Sequence, residues 1–303
     1  MKRDIISVLD MRDDLDEIID LSIRLKKNRY QSYDSAMNKV LGMIFEKPST
    51  RTRVSFETAI DQLGGHAIYL NPHDMQIGRG ETISDTARVL SRFLDAIVYR
   101  AFSHANVVEL AGNSDIPVIN GLDDKEHPVQ IVADYMTLLE KRRNLSGRKL
   151  AYVGDGNNMA NSLILGGAIL GVDVSVACPK GFEPDRKIVE EGIKIARETG
   201  CKIEVLNDPK AAVPGADAVY TDVWVSMGEE SEKEKKEKIF KPFQVNQDLM
   251  DAAGDMALFL HCLPAHRGLE VTAQVMDGPR SVVFDQAENR MHTEKAILLT
   301  LLS

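Results

Sequence analysis

The stretch "STRTR", residues 49–53, brings three hydroxyl groups and two guanidinium groups together directly after Pro48. Proline favours a break and serine is a preferred N-cap residue, so "TRTRVSFETAIDQLGG" is predicted to be a helix that begins after Ser49 and ends at its two glycines. The first turn of a helix attracts anions through its free N–H groups and its dipole. Two arginines added there predict a site for a phosphate dianion. Taken alone, the stretch fits surface ion pairs equally well.

Three further places carry residues that suit the same ligand. Arg100 lies just past the predicted strand "DAIVYR", and Arg290 lies near the start of the last predicted helix. His127 precedes Pro128, which fits a first helical position, so Gln130 falls in the first turn of that helix. A histidine and a glutamine at a second helix start suit a carbonyl oxygen to polarise and an amide to orient. Together these residues favour the anion site over surface ion pairs.

Composition limits the class of protein. The chain has 303 residues, with 37 Lys+Arg against 46 Asp+Glu and a net charge of −9. Such an acidic balance argues against nucleic-acid binding. Three cysteines, Cys178, Cys201 and Cys262, without a CxxC pair predict free thiols in a reducing cytoplasm. We find neither a signal-like start nor the run of about 20 apolar residues that a membrane span needs. The sequence therefore predicts a cytoplasmic protein without nucleic-acid or membrane partners.

Apolar runs of strand length alternate with helix-like stretches along the whole chain. The predicted strands are "VLGMIFE", "HAIYL", "DAIVYR", "IPVINGL", "KLAYVGD", "DVSVACP", "KIEVLN", "ADAVYTD", "ALFLHCL" and "SVVFDQ". This alternation predicts an α/β fold with two doubly wound parallel-sheet domains and the active site in the cleft between them. The predicted domains are residues 1–142 and 148–287, joined by the polar link "RRNLSGR", with a final helix at about 288–303 packing back on the first domain. The charge run at 228–243 is interpreted as a solvated helix or loop, with a mobile flap beside a site as the alternative.

Four motifs, "STRTR", "HPVQ" (127–130), "DVWVSMG" (222–228) and "HCLP" (261–264), resemble in type and order those of the aspartate/ornithine carbamoyltransferase family. The resemblance spans essentially the whole chain. "HCLPAHRG" and the SMG loop are similar to the ornithine-specific members, since the aspartate-specific ones have an HPLPR-like loop and lack the SMG segment.

The resemblance implies transfer of the carbamoyl group of carbamoyl phosphate to the δ-amine of L-ornithine, which gives L-citrulline and phosphate in arginine metabolism. Carbamoyl transfer to putrescine, acetylornithine or aspartate is the alternative. No cofactor and no metal are implied. Because Gln76 matches a loop that reaches into a neighbouring subunit's site, the resemblance also implies a homotrimer or a multiple of trimers.

Site residues follow from the resemblance position by position. It assigns catalysis to Arg100, His127, Asp222 and Cys262. It assigns carbamoyl phosphate to Ser49, Thr50, Arg51, Thr52, Gln76, Arg100, His127, Pro128, Val129, Gln130, Cys262, Leu263 and Arg290. It assigns ornithine to Asn158, Asp222, Ser226 and Met227.

Three other functions fit the sequence less well. Gly154 and Gly156 begin a GxGxxG pattern typical of dinucleotide binding, but Met159 stands at the third glycine and the next strand ends without an acidic residue. His261, Cys262 and His266 lie within one short loop, unlike common zinc sites. A non-catalytic relative would be expected to lack some of the charged positions that are present here.

Overall fold

The computed structural model describes residues 2–29, 34–225 and 233–302. It divides into two compact units, Met1–Met136 with Glu288–Ser303, and Thr137–Ala287. Each unit is built on its own parallel sheet, as the strand–helix alternation predicted.

The strands are β1 (Val40–Phe45), β2 (His66–Leu70), β3 (Ala96–Arg100), β4 (Val118–Leu122), β5 (Lys149–Val153), β6 (Asp173–Ala177), β7 (Ile203–Leu206), β8 (Ala218–Thr221) and β9 (Leu258–His261). Within the described residues the first sheet has the order β2-β1-β3-β4 and the second β7-β6-β5-β8-β9, and every pair is parallel. Strands β3 and β5 are buried almost throughout, as expected for parallel sheets covered by helices.

The helices are α1 (Leu15–Lys27), α2 (Thr50–Asp61), α3 (Ile83–Leu90), α4 (His104–Asn113), α5 (Pro128–Arg142), α6 (Asn158–Leu170), α7 (Arg186–Thr199), α8 (Pro209–Ala212), α9 (Lys233–Phe240), α10 (Gln247–Ala253), α11 (Ala273–Met276) and α12 (Val283–Leu302). In the part of the chain that the structure describes, none of them is both long and apolar enough to cross a membrane.

The strand orders explain where the polar motifs lie. In each sheet the chain first adds strands on one side and then continues on the other, so β1/β3 and β5/β8 are switch points. Loops leave the carboxyl ends of two such strands in opposite directions and open a crevice there. "STRTR" follows β1, Arg100 ends β3, "GDGNN" follows β5 and Asp222 follows β8.

One predicted strand is wrong. In "SVVFDQ", Ser281 forms only an isolated bridge with Phe259, and α12 begins at Val283. Periodicity cannot distinguish a short apolar strand from the buried start of a helix. Val282 and Val283 are buried at the start of α12. The other nine predicted strands are confirmed.

The domain boundaries at residues 142 and 148 stay predictions. The compact units divide after Met136, inside α5, and before Glu288, inside α12. Arg142 is the last residue of α5, and its Nη2 donates to the carbonyl of Asp217 at 3.0 Å. Both residues belong to the second unit.

Candidate active site

The predicted helix start at Ser49 is confirmed. Ser49 is the N-cap of α2 with extended backbone, and its Oγ accepts from the N–H of Thr52 at 3.2 Å while donating to Thr52 Oγ1 at 3.1 Å. Thr50 is exposed, Arg51 is half-buried and Thr52 is buried. The helix ends at Asp61, three residues before the predicted glycines.

Arg290 lies deeper in its helix than predicted. It is the eighth residue of α12, not one near the start, because α12 absorbs the run that resembled a strand. Its Nη1 donates to Gln130 Oε1 at 2.6 Å and its Nη2 to Thr52 Oγ1 at 3.3 Å. Two motifs that lie far apart in the chain, STRTR and HPVQ, thus meet at the one buried guanidinium of Arg290.

Arg100 and His127 are both buried in the same unit. Arg100 is the last residue of β3, not past it, and its Nε donates to the carbonyl of Lys47 at 3.2 Å. His127 directly precedes α5, as predicted. Burial first, and then the charges of Arg290, Arg100 and Arg51, lower the pKa of His127 well below its ordinary value. A neutral imidazole can donate one N–H to a carbonyl oxygen without adding charge.

We call Ser49, Thr50, Arg51, Thr52, Arg100, His127, Gln130 and Arg290 the arginine cluster. It combines two helix starts, three guanidinium groups and a neutral histidine. Such a set of donors can bind a phosphate dianion and polarise an adjacent carbonyl group.

The loop before His127 is held by acids that the sequence analysis missed. The buried Asp123 accepts from the N–H of Glu126 at 2.7 Å and from His104 Nδ1 at 2.6 Å. Glu126 in turn accepts from the N–H of Val8 at 2.8 Å, and burial raises its pKa to about 7. These contacts fix the entry to α5. An Asx-type turn at "DDKE" is the signal that could have found them.

Pro128, Val129 and Gln76 were also predicted to bind carbamoyl phosphate. Pro128 and Val129 form the start of α5 and are buried. Gln76 is exposed in the loop between β2 and α3, and among the described residues its side chain makes no hydrogen bond to the arginine cluster.

A second polar cluster lies in the other unit, around Asp222. Asp222 follows β8 and is 7% exposed. Its Oδ1 accepts from Cys262 Sγ at 3.0 Å, and its Oδ2 accepts from Asn157 Nδ2 at 2.9 Å. We call Asn157, Asp222 and Cys262 the Asp222 cluster. A carboxylate held in this way can orient an amine.

Asn157 was missed, and its neighbour Asn158 was predicted. Asn157 is the N-cap of α6, and its Oδ1 accepts from the N–H groups of Met159 and Ala160. Asn158 is the first residue of the helix itself. The N-cap preference of asparagine was the available signal. The other two predicted ornithine residues, Ser226 and Met227, lie outside the described residues.

The glycines after β5 serve the chain's own packing. Gly154 has φ +151°, and a Cβ on Gly156 would lie 2.3 Å from the backbone nitrogen of Pro184. The N–H of Gly156 donates to the carbonyl of Phe182 at 2.9 Å. The loop after β6 therefore packs directly on the turn where a GxGxxG motif would hold a pyrophosphate.

His261 is engaged through both ring nitrogens. Nδ1 accepts from the N–H of Leu263 at 2.8 Å, so Nε2 carries the proton and donates to Glu270 Oε1 at 3.2 Å. Burial opposes ionisation of Glu270, but hydrogen bonds from His261 and from the backbone lower its pKa. Asp222, His261 and Cys262 bring one possible metal-ligand atom each within 4.8 Å. Because both His261 nitrogens are bonded elsewhere, only two ligands are available without rearrangement, fewer than zinc takes.

The described part of the charge run at 228–243 begins with α9, a helix whose Lys233, Glu234, Lys235 and Lys238 are exposed, as expected of a solvated helix, but which also has a buried face that the sequence analysis did not predict. In α9, Lys236 is buried and its Nζ lies 2.8 Å from Asp155 Oδ2. Phe240 is fully buried and stacks on Trp224 with ring centroids 6.0 Å apart. Trp224 is a buried core aromatic, although its Nε1 has no hydrogen-bond partner among the described residues. The buried Phe240 and the ion pair of Lys236 with Asp155 attach the charged helix, and charge counting detects neither.

Comparison with known proteins gives the class. The family described as "Aspartate/ornithine carbamoyltransferase, carbamoyl-P binding domain" matches residues 3–140. Its companion, "Aspartate/ornithine carbamoyltransferase, Asp/Orn binding domain", matches residues 146–301. The chain therefore belongs to the aspartate/ornithine carbamoyltransferase family.

Several relatives are similar over nearly their full length. An ornithine carbamoyltransferase of Picrophilus torridus is 65% identical over 303 residues, which is 100% of both chains. A catabolic ornithine carbamoyltransferase of Thermoplasma acidophilum is 66% identical over 302 residues, covering 100% of this chain and 99% of the relative. The solved structure of the Pyrococcus furiosus ornithine carbamoyltransferase superposes with a TM-score of 0.95 at 52% identity, over 98% of this chain and 96% of that one.

Proposed function

We propose that this chain transfers the carbamoyl group of carbamoyl phosphate to the δ-amine of L-ornithine, which yields L-citrulline and phosphate. The observation that carries the proposal is the arginine cluster around a neutral His127, at the helix starts where a phosphate and a carbonyl would bind. Full-length relatives that are 65% and 66% identical and are named ornithine carbamoyltransferases support it.

In this proposal the arginine cluster binds the carbamoyl donor. The phosphate lies at the start of α2 against Ser49, Thr50, Arg51 and Thr52. Arg100 reaches phosphate and carbonyl, His127 donates to the carbonyl oxygen, and Gln130 orients the carbamoyl amide, beside Pro128 and Val129. Arg290 completes this end of the arginine cluster.

In this proposal the Asp222 cluster binds and orients the δ-amine of ornithine. The δ-amine of ornithine has a lysine-like pKa of about 10.4, so it must lose a proton before its lone pair can attack. Asp222 orients the amine and Cys262 assists, while Asn158, Ser226 and Met227 bind the amino-acid end. Asn157, which donates to Asp222 at 2.9 Å, fixes the carboxylate.

The chemical step needs positioning and charge stabilisation only. The neutral amine nitrogen attacks the carbonyl carbon, and the resulting oxyanion faces Arg100, His127 and Thr52. The oxyanion then collapses, the carbon–oxygen bond to phosphate breaks, and the attacking nitrogen gives up its extra proton to the departing phosphate oxygen. Hydrogen phosphate leaves from the helix start, where its charge is already compensated. Preorganised donors of this kind supply the largest single contribution in many enzymes.

We also propose a homotrimer or a multiple of trimers. Large apolar side chains are exposed on the first unit: Met37, Val54, Ile68, Val89, Phe93, Phe102 and Val108, with exposed fractions from 43% to 72%. Association with further copies of the chain would remove such side chains from water, which supports the proposal. In such an assembly Gln76 reaches the site of a neighbouring subunit. Sedimentation equilibrium should give three times 33.6 kDa, about 101 kDa, or a multiple of it. A monomer mass would contradict this part of the proposal.

The reducing cytoplasm remains the proposed location. Among the described residues none of the three cysteines forms a disulfide, and Cys262 needs its thiol to hydrogen-bond to Asp222.

An acceptor screen tests the function. Purified protein is supplied with carbamoyl phosphate and, in separate reactions, ornithine, acetylornithine, putrescine or aspartate, and phosphate release is measured. We expect rapid release with ornithine and rates near the acceptor-free background with the others. Equal turnover with another amine would transfer the proposal to that acceptor, and no turnover with any would refute it.

A further inference from the structure

The carboxamide of Gln130 has only one orientation that its neighbours permit. Its Oε1 accepts from Arg290 Nη1 at 2.6 Å, and its Nε2 donates to Asp134 Oδ1 at 2.8 Å. A guanidinium group can only donate hydrogen bonds and an ionised carboxylate can only accept them. Rotation of the amide by 180° would therefore oppose donor to donor and acceptor to acceptor. All three residues are buried, so water cannot compensate for either mismatch.

Arg290 is itself held by an acid one helical turn further along. Glu294 Oε1 accepts from Arg290 Nε at 3.0 Å and from Nη2 at 2.6 Å, and the exposed fractions of the two side chains are 3% and 0%. Two contacts to one oxygen fix the plane of the guanidinium group, which leaves Nη1 for Gln130. Burial raises the pKa of Glu294 to about 7, against the opposing effects of Arg290 and Ser55.

The two acids have no direct place in the reaction. Asp134 lies four residues after Gln130 on α5, and Glu294 lies four residues after Arg290 on α12. Each spacing brings the acid over the residue it contacts on the same helix face. Hydrogen bonds thus link five side chains. Asp134 contacts Gln130, Gln130 contacts Arg290, and Arg290 contacts both Glu294 and Thr52.

We propose that Asp134 and Glu294 are positioning residues that hold Gln130 with its oxygen towards the donor, so that the site selects an amino group on the acyl carbon. The inference rests on the proposed role of Gln130. A carbamoyl group presents NH₂ there, which donates to the second lone pair of Oε1. An acetyl group presents a methyl group, which leaves that lone pair unpaired. The fixed orientation of the Gln130 amide therefore determines specificity for carbamoyl phosphate over acetyl phosphate. The two compounds have the phosphate and the carbonyl group in common.

The discrimination ratio tests the proposal. Isothermal titration calorimetry gives the dissociation constants of carbamoyl phosphate and acetyl phosphate, and their ratio cancels changes that affect phosphate or carbonyl binding equally. Asp134→Asn keeps the shape but can accept or donate, so it removes one of the two mismatches that oppose the rotated amide. Glu294→Gln weakens the hold on Arg290 in a second, independent place. Each should reduce the ratio about fivefold, since hydrogen bonds to charged groups exceed neutral ones by about 1 kcal/mol.

A matched control is Glu288→Gln, which removes an acid on the same helix that pairs with Arg29 at 2.9 Å and lies outside the chain of contacts. In this variant the ratio of the two dissociation constants should equal that of the unchanged protein. If Asp134→Asn does not fold, Glu294→Gln alone decides. A ratio unchanged in the folded variants, with both dissociation constants shifted by one factor, would show a merely structural role and overturn the proposal.

Failure of the underlying function is distinguishable. Gln130→Met removes the oxygen itself and should abolish the discrimination between the two acyl phosphates. Should the unchanged protein fail to discriminate, or Gln130→Met keep the full ratio, the assigned role of Gln130 is wrong. Should Gln130→Met lose the ratio while the two acid variants keep it, only the positioning inference fails.

Discussion

His127 illustrates how single residues obtain their chemistry from position. Three guanidinium groups and burial lower its pKa, so it stays neutral in a site built for an anion. A protonated histidine would add a fourth charge, whereas the neutral ring offers one directed N–H. The guanidinium groups can thus compensate the phosphate while the ring polarises the carbonyl group.

Arg51 is the residue whose removal should affect donor binding most cleanly. It is half-buried in the first turn of α2, and its charge contributes to the lowered pKa of His127. Arg51→Ala should raise the Michaelis constant for carbamoyl phosphate about 10–100-fold, the cost of a hydrogen bond between charged groups. Steady-state kinetics at saturating ornithine measures it.

The control is Arg53→Ala in the same helix. Arg53 is exposed, pairs with Glu57 at 3.0 Å and stacks on the ring of Tyr69, so its loss should change that constant less than twofold (roughly) because exposed ion pairs contribute little. Equal effects of the two substitutions would mean that the helix start binds no phosphate.

Much of the site could be predicted at this scale, and the failures have physical reasons. Ser49, His127 and Pro128 follow from cap and helix-start preferences, which are local. Asn157 and Asn158 are adjacent and identical in type, and only the helix boundary decides which one reaches Asp222. Asp134 and Glu294 stand at i,i+4 spacing from predicted residues, a signal that the sequence offered and that was not used.

Among the elements, the turn between β5 and α6 is the most sensitive to substitution. It carries Asn157 to Asp222 and leaves no room for a side chain at Gly156. Gly156→Ala should destabilise the protein by about 1–3 kcal/mol, the cost of overpacking. It should also raise the Michaelis constant for ornithine, since the cap residue Asn157 directly follows Gly156. Urea denaturation and kinetics measure the two effects.

Gly112→Ala is the matched control. Gly112 lies in α4 with open space where its Cβ would be, so alanine should stabilise the helix by up to about 1 kcal/mol. If Gly156→Ala were equally well tolerated, the close approach of Pro184 would not constrain the turn.

The elements were largely predictable from pattern, with an instructive exception. Nine strands follow from short apolar runs between turn residues, because parallel strands are buried on both faces. The start of α12 does not, since "SVVF" is β-branched and apolar and yet begins a helix. Tertiary burial of Val282 and Val283 overrides local propensity there.

At the scale of the whole molecule, buried charge is balanced locally. The net charge is −9, yet the arginine cluster holds three guanidinium groups, and Glu294 contacts Arg290 directly. Where a buried ionisable group has too little opposite charge beside it, its pKa shifts. The free energy of unfolding should therefore depend on pH through individual groups.

His292 gives the clearest pH prediction. Burial, with Lys26, Lys295 and Arg29 nearby and only Glu288 opposing, lowers its pKa from 6.5 to about 4. Its folded pKa lies below its unfolded one, so the unfolded state takes up the proton first, and stability should fall as pH drops from about 6.5 towards 4. His292→Gln should lessen this loss, measured as the difference in urea midpoint between pH 7 and pH 5.

Glu126 and Glu294, whose pKa values are raised to about 7, act in the opposite direction over part of this range. They are present in both proteins, so the comparison of unchanged protein with variant isolates His292. The exposed His73→Gln provides the control and should keep the original pH dependence. A His292→Gln variant with that same dependence would contradict the assigned burial effect.

Product identification tests the central claim most directly. The protein is incubated with ¹³C-carbamoyl phosphate and L-ornithine, and the labelled product is followed by ¹³C NMR and mass spectrometry. The account predicts a single ureido carbon on the δ-nitrogen, that of L-citrulline, formed in equal amount with phosphate. Label recovered only as bicarbonate, or attached to the α-nitrogen, would contradict it.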